Sequence, residues 1–221
     1  MEAAGRLARQ AEAYAADKVS GPSDLLLSCG VERVMQRNGW IPDRDTAEYM
    51  GTGALFAQRL VHFNGFQLHA SAVVAEERAW LFSGPSGIGK STLTKRWTRL
   101  FGAVYLNDDK PALRRTEDQW RAWGTPWSGK HDLSAPASAP VGGVVFLRQG
   151  GQPRMERLPP YDALPLMMSQ TPHALTADGM SRLLELMDGF LREVPVWRLI
   201  CRNDDAGALL AHRLLLEENK T

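Results

Sequence analysis

Cysteine is scarce in this chain of 221 residues, and the scarcity excludes two classes of protein. Cys29 and Cys201 are the two cysteines, and they lie far apart in the sequence. A disulfide-bonded framework and a cysteine-based zinc site both need several thiols, with pairs such as C-x-x-C close together. Neither pattern is present. We therefore expect two reduced thiols and a protein that works in the cytoplasm.

Long apolar runs and a strong charge of one sign are missing as well. No stretch approaches the ~18 consecutive apolar residues that can cross a bilayer, and residues 1–18 lack the apolar core of a signal peptide. A net charge of +1 gives no reason to expect nucleic acid or a membrane surface as a partner. The length suits one well-packed domain with an appendage, or two small domains.

Glycine, by contrast, contributes to one functional pattern. Gly84, Gly89, Lys90 and Ser91 fill G-x-x-x-x-G-K-[ST], which is typical of a phosphate-binding P-loop, and an apolar strand-like run precedes them. The glycines let the backbone turn successive N–H groups toward an anion. A helix that begins near Lys90 adds the positive end of its dipole. The alternative is an ordinary glycine-rich turn between a strand and a helix, which the full pattern disfavours.

This loop predicts a site for a nucleoside triphosphate with magnesium. Lys90 would reach the terminal phosphates, and the Ser91 hydroxyl would hold the Mg²⁺ ion. The residues expected to bind the nucleotide are Gly84, Pro85, Ser86, Gly87, Ile88, Gly89, Lys90, Ser91 and Thr92.

Two adjacent carboxylates follow the next strand-like run. Asp108 and Asp109 come directly after AVYLN, one predicted helix and one predicted strand beyond the glycine-rich loop. An aspartate at a strand end commonly holds the magnesium ion in P-loop proteins, and a second carboxylate can accept the proton of an attacking hydroxyl. We expect Asp108 to be that base and Asp109 to serve the metal, although the two roles can be exchanged. The alternative is a polar turn.

The alternation of strand-like and helix-like runs predicts an α/β fold. Residues 1–63 are expected to form a small α+β region, and residues 64–221 a P-loop domain that opens on a β-hairpin. The turn signals of the first region are Asn38-Gly39, Pro42-Asp43 and Gly51-Thr52-Gly53, and the charged tip of the hairpin is Glu76-Glu77-Arg78. The later strands are expected at 103–107, 141–147 and 194–202, and the helices at 91–101, 161–169, 175–191 and 206–217.

Three stretches in the order LHASAVV, LFSGPSGIGKST and YLNDD resemble the HPr kinase/phosphorylase-like family of serine kinases, over about residues 66–202. That family shares its core with ATP-dependent phosphoenolpyruvate carboxykinase. The resemblance implies a P-loop core of this type, with a mixed central sheet flanked by helices. It also implies ATP and Mg²⁺ as cofactors and a serine of a peptide or small protein as the acceptor. His69 matches the histidine that the family carries on the strand before the loop.

The chain departs from true HPr kinases because an R-P-G-R-N type signature is absent. HPr itself and the phosphorylase back-reaction are therefore not implied. The chain looks closer to shorter relatives, the tailoring kinases that phosphorylate a serine on ribosomally made peptides such as lasso peptides. Members of the family form hexamers, which leaves a homo-oligomer open.

His69, Lys130 and His131 each have a functional and an ordinary interpretation. His69 lies on an alternating strand and could be a packed core histidine, whereas the resemblance favours contact with phosphate or orientation of an aspartate. Lys130 and His131 lie in the stretch GTPWSGKHD. They could contact a γ-phosphate or an acidic substrate, or they could be solvated loop charges.

The leading hypothesis is an ATP-dependent kinase that phosphorylates a serine of a peptide or small protein. Arg114, Arg115 and Arg121 could attract an acidic peptide, although such a run is more often a solvated face. Two hypotheses from other classes stay open. A nucleotide-binding regulatory module with slow hydrolysis would need a mobile switch, and a small-molecule kinase would need a compact acceptor pocket.

Overall fold

A mixed sheet of nine strands, with helices on both faces, forms the body of the described chain. The computed structural model describes residues 5–15, 25–37, 43–202 and 204–218. The strands are β1 (Gly65–Gln67), β2 (Ala70–Ala75), β3 (Arg78–Ser83), β4 (Val104–Asn107), β5 (Ala112–Arg115), β6 (Trp120–Trp123), β7 (Ser138–Gln149), β8 (Arg154–Leu158) and β9 (Val196–Cys201). The helices are α1 (Arg6–Ala11), α2 (Val31–Arg37), α3 (Arg44–Leu60), α4 (Lys90–Phe101), α5 (Pro160–Ser169), α6 (Ala177–Glu193) and α7 (Asp205–Glu218). The expected α/β class, with a mixed central sheet flanked by helices, is confirmed.

The directions of the strands bring several chain segments to one edge of the sheet. β3 pairs in parallel with β7, and β7 pairs in parallel with β9. β2 is antiparallel to both of its neighbours, β3 and β4, so β4 runs in the same direction as β3. The carboxyl ends of β3, β4, β7 and β9 therefore lie at the same edge, which is where ligands bind in open α/β sheets.

The hydrophobic core lies on both faces of the sheet, and β3 shows how it is divided. Ala79 and Leu81 point to the face covered by α5 and α6, whereas Trp80 and Phe82 point to the face covered by α4 and α7. All four side chains are completely buried. Trp97 of α4 packs edge-on against Phe82, with ring centroids 5.1 Å apart. The apolar run that precedes the glycine-rich loop is therefore a central strand covered on both sides.

Two local predictions are confirmed by backbone geometry. The hairpin between β2 and β3 turns at Glu76 and Glu77, which both have positive φ (49° and 59°), as a two-residue hairpin of this hand requires. Arg78 is the first residue of β3 and not part of the turn. Helix α4 ends at Phe101, and Gly102 follows it in the left-handed conformation (φ 66°) that favours glycine at a helix end.

The expected α+β composition of residues 1–63 is wrong for the part that the structure describes, since the described residues there form helices and no strand. Helix α3 occupies most of the second half of this region. It begins at Arg44, and the Asp43 side chain caps it by accepting a hydrogen bond from the Thr46 N–H at 2.7 Å. The turn signals at Asn38-Gly39 and Pro42 lie outside the described residues. The domain boundary at residue 63 remains a prediction.

The signal Gly51-Thr52-Gly53 lies inside α3 and does not form a turn. Its glycines instead allow close packing. A Cβ atom on Gly53 would lie 2.8 Å from the Trp127 ring, and one on Gly51 would lie 3.0 Å from the Cys29 sulfur. Close approach of a neighbouring element is a second reason for glycine in a helix, and the sequence pattern cannot distinguish it from a turn.

Strands β5, β6 and β8 have no counterpart among the predicted elements. Their sequences, ALRR, WRAW and RMERL, are short and rich in arginine, so they lack the sustained alternation that predicts a strand. Within the described residues, no helix is long and apolar enough to cross a membrane. Cys29 and Cys201 are free thiols, as the sequence predicts.

Replacing Gly124 by alanine should destabilise the protein by about 2 kcal/mol or more, because the added methyl group overpacks a rigid backbone contact. The new Cβ atom would lie 1.9 Å from the Ala135 carbonyl oxygen and 2.7 Å from that of Leu106. Gly189→Ala in α6 is the matched control, since its Cβ would meet nothing within 4 Å. Because alanine has a higher helix propensity than glycine, Gly189→Ala should raise the free energy of unfolding by ~0.5–1 kcal/mol. Urea unfolding measures both variants, and equal stabilities would contradict the packing at Gly124.

Candidate active site

A cleft of about 560 Å³ lies at the edge where β3 and β4 end. It gathers most of the site residues that the sequence predicts. Its lining residues are His69, Ser86, Gly87, Gly89, Lys90, Ser91, Thr92, Lys95, Asp108, Asp109, Gly129, Lys130 and His131. Among the predicted nucleotide-binding residues, Gly84 and Pro85 line a neighbouring cavity instead. Ile88 packs against the core on the α4 face of the sheet.

The glycine-rich loop, residues 84–89, connects β3 to α4 in a backbone conformation that needs glycine. Gly84, Gly87 and Gly89 have φ values of 136°, 78° and 114°, which L side chains rarely adopt. The Ile88 N–H donates to the Pro85 carbonyl at 3.3 Å and closes the turn. Gly89 at the N-cap offers no side chain, and no side-chain cap of α4 is present among the described residues. Its N–H groups and the positive end of its dipole are therefore free for an anion in the cleft.

Lys90, the first residue of α4, bends back over the glycine-rich loop. The residue is 9% exposed, and Nζ donates to the carbonyls of Gly84 at 2.7 Å and Pro85 at 3.2 Å. Burial lowers the pKa of Lys90, and the charge of Asp109 acts in the opposite direction. The Lys90 amino group thus lies at the base of the loop, close to Asp109 of the acidic pair.

Asp108 is buried at the inner wall of the cleft, with 6% of its surface exposed. One carboxylate oxygen accepts a hydrogen bond from the Gly129 N–H. Burial raises the pKa of Asp108 above its ordinary value, and the charge of Asp109 raises it further, while the Gly129 N–H opposes the shift. A carboxyl group with a raised pKa binds a proton more readily near neutral pH.

Asp109 lies nearer to solvent and faces two basic side chains. Its carboxylate is 3.6 Å from Nε2 of His69 and 3.9 Å from Nζ of Lys110. Burial lowers the pKa of His69, although Asp109 pulls it upward. The His69 side chain remains 39% exposed, so the alternative of a packed core histidine does not apply. Hydrogen bonds of its backbone fix its position, from His69 N–H to the Gln170 carbonyl at 2.7 Å and from the Ser83 hydroxyl to the His69 carbonyl at 2.8 Å.

Asn107 was not predicted as a site residue, yet it organises the backbone around the acidic pair. It is completely buried. Its side-chain oxygen accepts hydrogen bonds from the N–H groups of Asp109 at 2.9 Å and Lys110 at 2.6 Å. Its side-chain nitrogen donates to the carbonyls of Thr125 at 3.0 Å and Trp127 at 3.3 Å. An asparagine at the end of an apolar strand, directly before two acids, is the sequence signal that could have indicated it.

The N-terminal helices hold the loop formed by residues 127–132, which carries one wall of the cleft. The Tyr49 hydroxyl donates to the Ser128 carbonyl at 2.8 Å and accepts from the Ser128 N–H at 2.6 Å. Arg6 donates to the Gly129 carbonyl at 3.1 Å and forms an ion pair with Asp132 at 2.8 Å. The Arg6 guanidinium also lies 4.2 Å from the centre of the Tyr49 ring. These contacts place Gly129 against Asp108, and Lys130 and His131 at the exposed rim.

The donors in the cleft suit a magnesium ion that is shared with a phosphate group. Among the described residues, no cluster of three His, Cys, Asp or Glu side chains could hold a metal ion by itself. Mg²⁺ usually takes one or two protein carboxylates and completes its shell with phosphate and water oxygens. Ser91, Asp108 and Asp109 line the same cleft and offer hydroxyl and carboxylate oxygens of this kind.

The basic patch of Arg114, Arg115 and Arg121 lies on β5 and β6, and its arginines contact other parts of the chain. Arg114 donates to a main-chain carbonyl at 2.9 Å. Arg115 forms an ion pair with Glu193 at 3.3 Å, and Arg121 donates to the Ser138 hydroxyl at 3.0 Å. None of the three lines the cleft. The ordinary interpretation of this run therefore suits the structure better than a peptide-binding patch.

Comparison with known proteins finds a partial similarity among solved structures. No family model matches the sequence, and no curated protein matches it. Among solved structures, the HPr(Ser) kinase/phosphatase from Coxiella burnetii is similar at 15% identity and a TM-score of 0.39. The match covers 68% of this chain and 98% of that chain. A TM-score of this size does not establish a shared fold, so the function has to be argued from the site itself.

Asp108→Asn should make the protein more stable at pH 7 in magnesium-free buffer. Because the folded-state pKa of Asp108 is raised, the folded chain binds more protons than the unfolded chain between the unfolded and folded pKa values. The contribution of Asp108 to stability therefore falls as the pH rises through that window, and the penalty is complete above it. Asparagine removes the penalty and keeps an oxygen for the Gly129 N–H.

Urea unfolding at pH 7 and at about pH 4 measures this effect. The stability gap between Asp108→Asn and the unmodified protein should narrow at the lower pH. Asp118→Asn, which removes an exposed carboxylate between β5 and β6, controls for the loss of one charge. A gap of the same size at both pH values would contradict the assignment.

Proposed function

We propose that this chain is a phosphotransferase, namely an ATP-dependent kinase that moves the γ-phosphate to a serine hydroxyl of a peptide or small protein. The observation that carries the proposal is the convergence of two features in one cleft. The glycine-rich loop and the uncapped start of α4 are suited to bind a phosphate chain, and the buried Asp108 is suited to accept the proton of a hydroxyl group. The cleft volume of about 560 Å³ is within the range of small-molecule sites.

The glycine-rich loop and the first turn of α4 are proposed to bind the triphosphate as a P-loop. The segment from Gly84 to Thr92 combines the sequence pattern with three positive φ angles and a free helix N-terminus. Lys90 would exchange the carbonyls of Gly84 and Pro85 for oxygens of the β- and γ-phosphates. Lys95 adds a second positive charge on the same side of the cleft.

Ser91 and Asp109 are the residues proposed to hold Mg²⁺. Both line the cleft beside the glycine-rich loop, and together with phosphate oxygens they form the kind of oxygen shell that this ion prefers. When bound, the ion would neutralise negative charge on the phosphates. His69, 3.6 Å from Asp109, is the residue proposed to orient that carboxylate.

Asp108 is the proposed general base. It would accept the serine proton while the serine oxygen forms a bond to the γ-phosphorus. The bond from that phosphorus to the bridging oxygen would break at the same time, and ADP would leave. A carboxylate with a raised pKa suits this role, because it accepts a proton more readily than an ordinary aspartate does. Lys90 would stabilise the charge that develops on the transferred group.

The class of acceptor rests on the sequence resemblance and on the openness of the rim. Lys130, His131 and Asp132 are exposed at the mouth of the cleft, where a peptide can reach the phosphate from outside. Lys130 and His131 would contact the γ-phosphate or the acceptor. A ribosomally made peptide that is modified after synthesis, such as a lasso-type precursor, is the acceptor we propose to test first.

Transfer to a serine-bearing precursor peptide tests the proposal directly. With ATP and Mg²⁺, intact-mass analysis should show a gain of about 80 Da for each phosphate added. Asp108→Asn should lower the rate by about 10²- to 10⁴-fold, because the base is lost. Lys90→Ala should lower it by about 10²- to 10³-fold, because charge on the phosphates is no longer neutralised.

Asp118→Asn is the matched control for this experiment and should keep full activity, since that exposed carboxylate lies in the turn between β5 and β6. Hydrolysis of ATP that persists in Asp108→Asn, with no peptide gaining mass, would reject the kinase. It would favour a nucleotide-binding regulatory module instead.

Ser91→Ala should raise the magnesium concentration needed for half-maximal transfer by about tenfold. The reason is that the proposed metal shell loses one protein oxygen. Titration of the transfer rate with Mg²⁺ measures the shift. Nucleotide binding in the absence of magnesium is the internal control and should stay unchanged. A variant that loses magnesium-free binding and magnesium-dependent transfer equally would contradict a role at the metal.

A further inference from the structure

A second cavity of about 330 Å³ adjoins the glycine-rich loop on the side of β7 and β9. Gly84 and Pro85 form the wall that it shares with the loop, and Ser169 and Gln170 lie at the end of α5. Arg148 of β7 and Arg198 of β9 supply its charged groups, and its remaining lining is apolar. The cavity therefore combines an apolar floor with guanidinium groups.

This cavity lies at the end of the loop where the terminal phosphate is proposed to sit. Nζ of Lys90 contacts the carbonyls of Gly84 and Pro85, and a lysine at this position of a P-loop reaches the β- and γ-phosphates. On its other side, the Gln170 carbonyl accepts a hydrogen bond from the His69 N–H at 2.7 Å. The cavity is thus joined to the main cleft through both the loop and the segment that carries His69.

The charge of the cavity is positive. Arg198 forms an ion pair with Glu156 at 3.0 Å. Arg148 is exposed and forms no ion pair with an acidic side chain of the described residues. Arg148, Arg198 and Glu156 together carry one net positive charge beside the glycine-rich loop. An arginine so placed favours a carboxylate, because its planar donors can bind both carboxylate oxygens.

We propose that this cavity binds the side-chain carboxylate of an Asp or Glu that lies near the phosphorylated serine of the acceptor peptide. The apolar floor would contact the methylene groups of that side chain, and Arg148 would contact its carboxylate. Binding there would hold the serine near the γ-phosphate, so the cavity determines which serine is modified. This inference rests on the proposed kinase function and names the substrate feature that the kinase selects.

Affinity selection from a peptide library tests the cavity without requiring transfer. The protein is loaded with Mg²⁺ and a non-hydrolysable ATP analogue and mixed with peptides that contain one central serine and random flanking residues. The peptides are C-terminally amidated, so a side chain is their only source of carboxylate. Mass spectrometry of the retained peptides should show Asp and Glu enriched by about tenfold over Asn and Gln at one or two fixed distances from the serine.

Three variants connect the selection to the cavity. Arg148→Gln should abolish the enrichment, and Arg148→Lys should keep part of it, because the charge remains but the paired donors are lost. Arg78→Gln should keep all of it. This control removes the same charge from an exposed arginine at the amino end of β3, at the opposite edge of the sheet from the loop.

The possible outcomes separate this inference from the proposed function. Enrichment that depends on Arg148, in peptides that gain no phosphate with ATP, would support the cavity and reject the peptide kinase. Two results would overturn the proposed role of the cavity, whether or not transfer occurs. One is the absence of enrichment. The other is a preference for acidic residues at every position, if Arg148→Gln leaves that preference unchanged.

Discussion

Because β2 lies antiparallel between β3 and β4, the chain leaves both of these strands at the same edge of the sheet. All features of the candidate site depend on this constraint. The glycine-rich loop follows β3, the acidic pair follows β4, and the two are separated in space by the width of one strand. A reversed β4 would put Asp108 at the far edge, where neither its burial nor its charge could act on a phosphate in the cleft.

The strand directions bring the segments together, and buried polar groups then fix their detailed positions. Asn107 connects the backbone of the acidic pair to the carbonyls of residues 125 and 127. Such a residue is costly to bury unless all of its hydrogen-bonding groups are satisfied. Here both ends of its amide are bonded to the backbone. The same contact therefore orients Asp109 and ties the acidic pair to the loop formed by residues 127–132.

The sequence predicted the elements whose physical signal is local. The central strand β3 is a continuous apolar run, Gly102 ends α4, and the glycine-rich pattern names residues that largely line one cleft. It did not predict the features that depend on distant partners. The arginine-rich strands β5 and β8 are stabilised by pairing with their neighbours, and Gly53 lies in a helix because Trp127 packs against it. Asn107 and Arg148 were missed for the same reason, since their partners or positions are set by the fold alone.

The burial of Asp108 also explains why the N-terminal helices matter to the site. A carboxylate is destabilised when it is removed from water, and the same loss of hydration raises its pKa. Keeping water away from Asp108 requires a neighbouring segment that stays in place. The loop formed by residues 127–132 is that segment. Tyr49 and Arg6 bond to that loop from α3 and α1. Without these contacts water would reach Asp108 and its pKa would return toward the ordinary value. The described helices of the N-terminal region therefore help to keep Asp108 buried and its pKa raised.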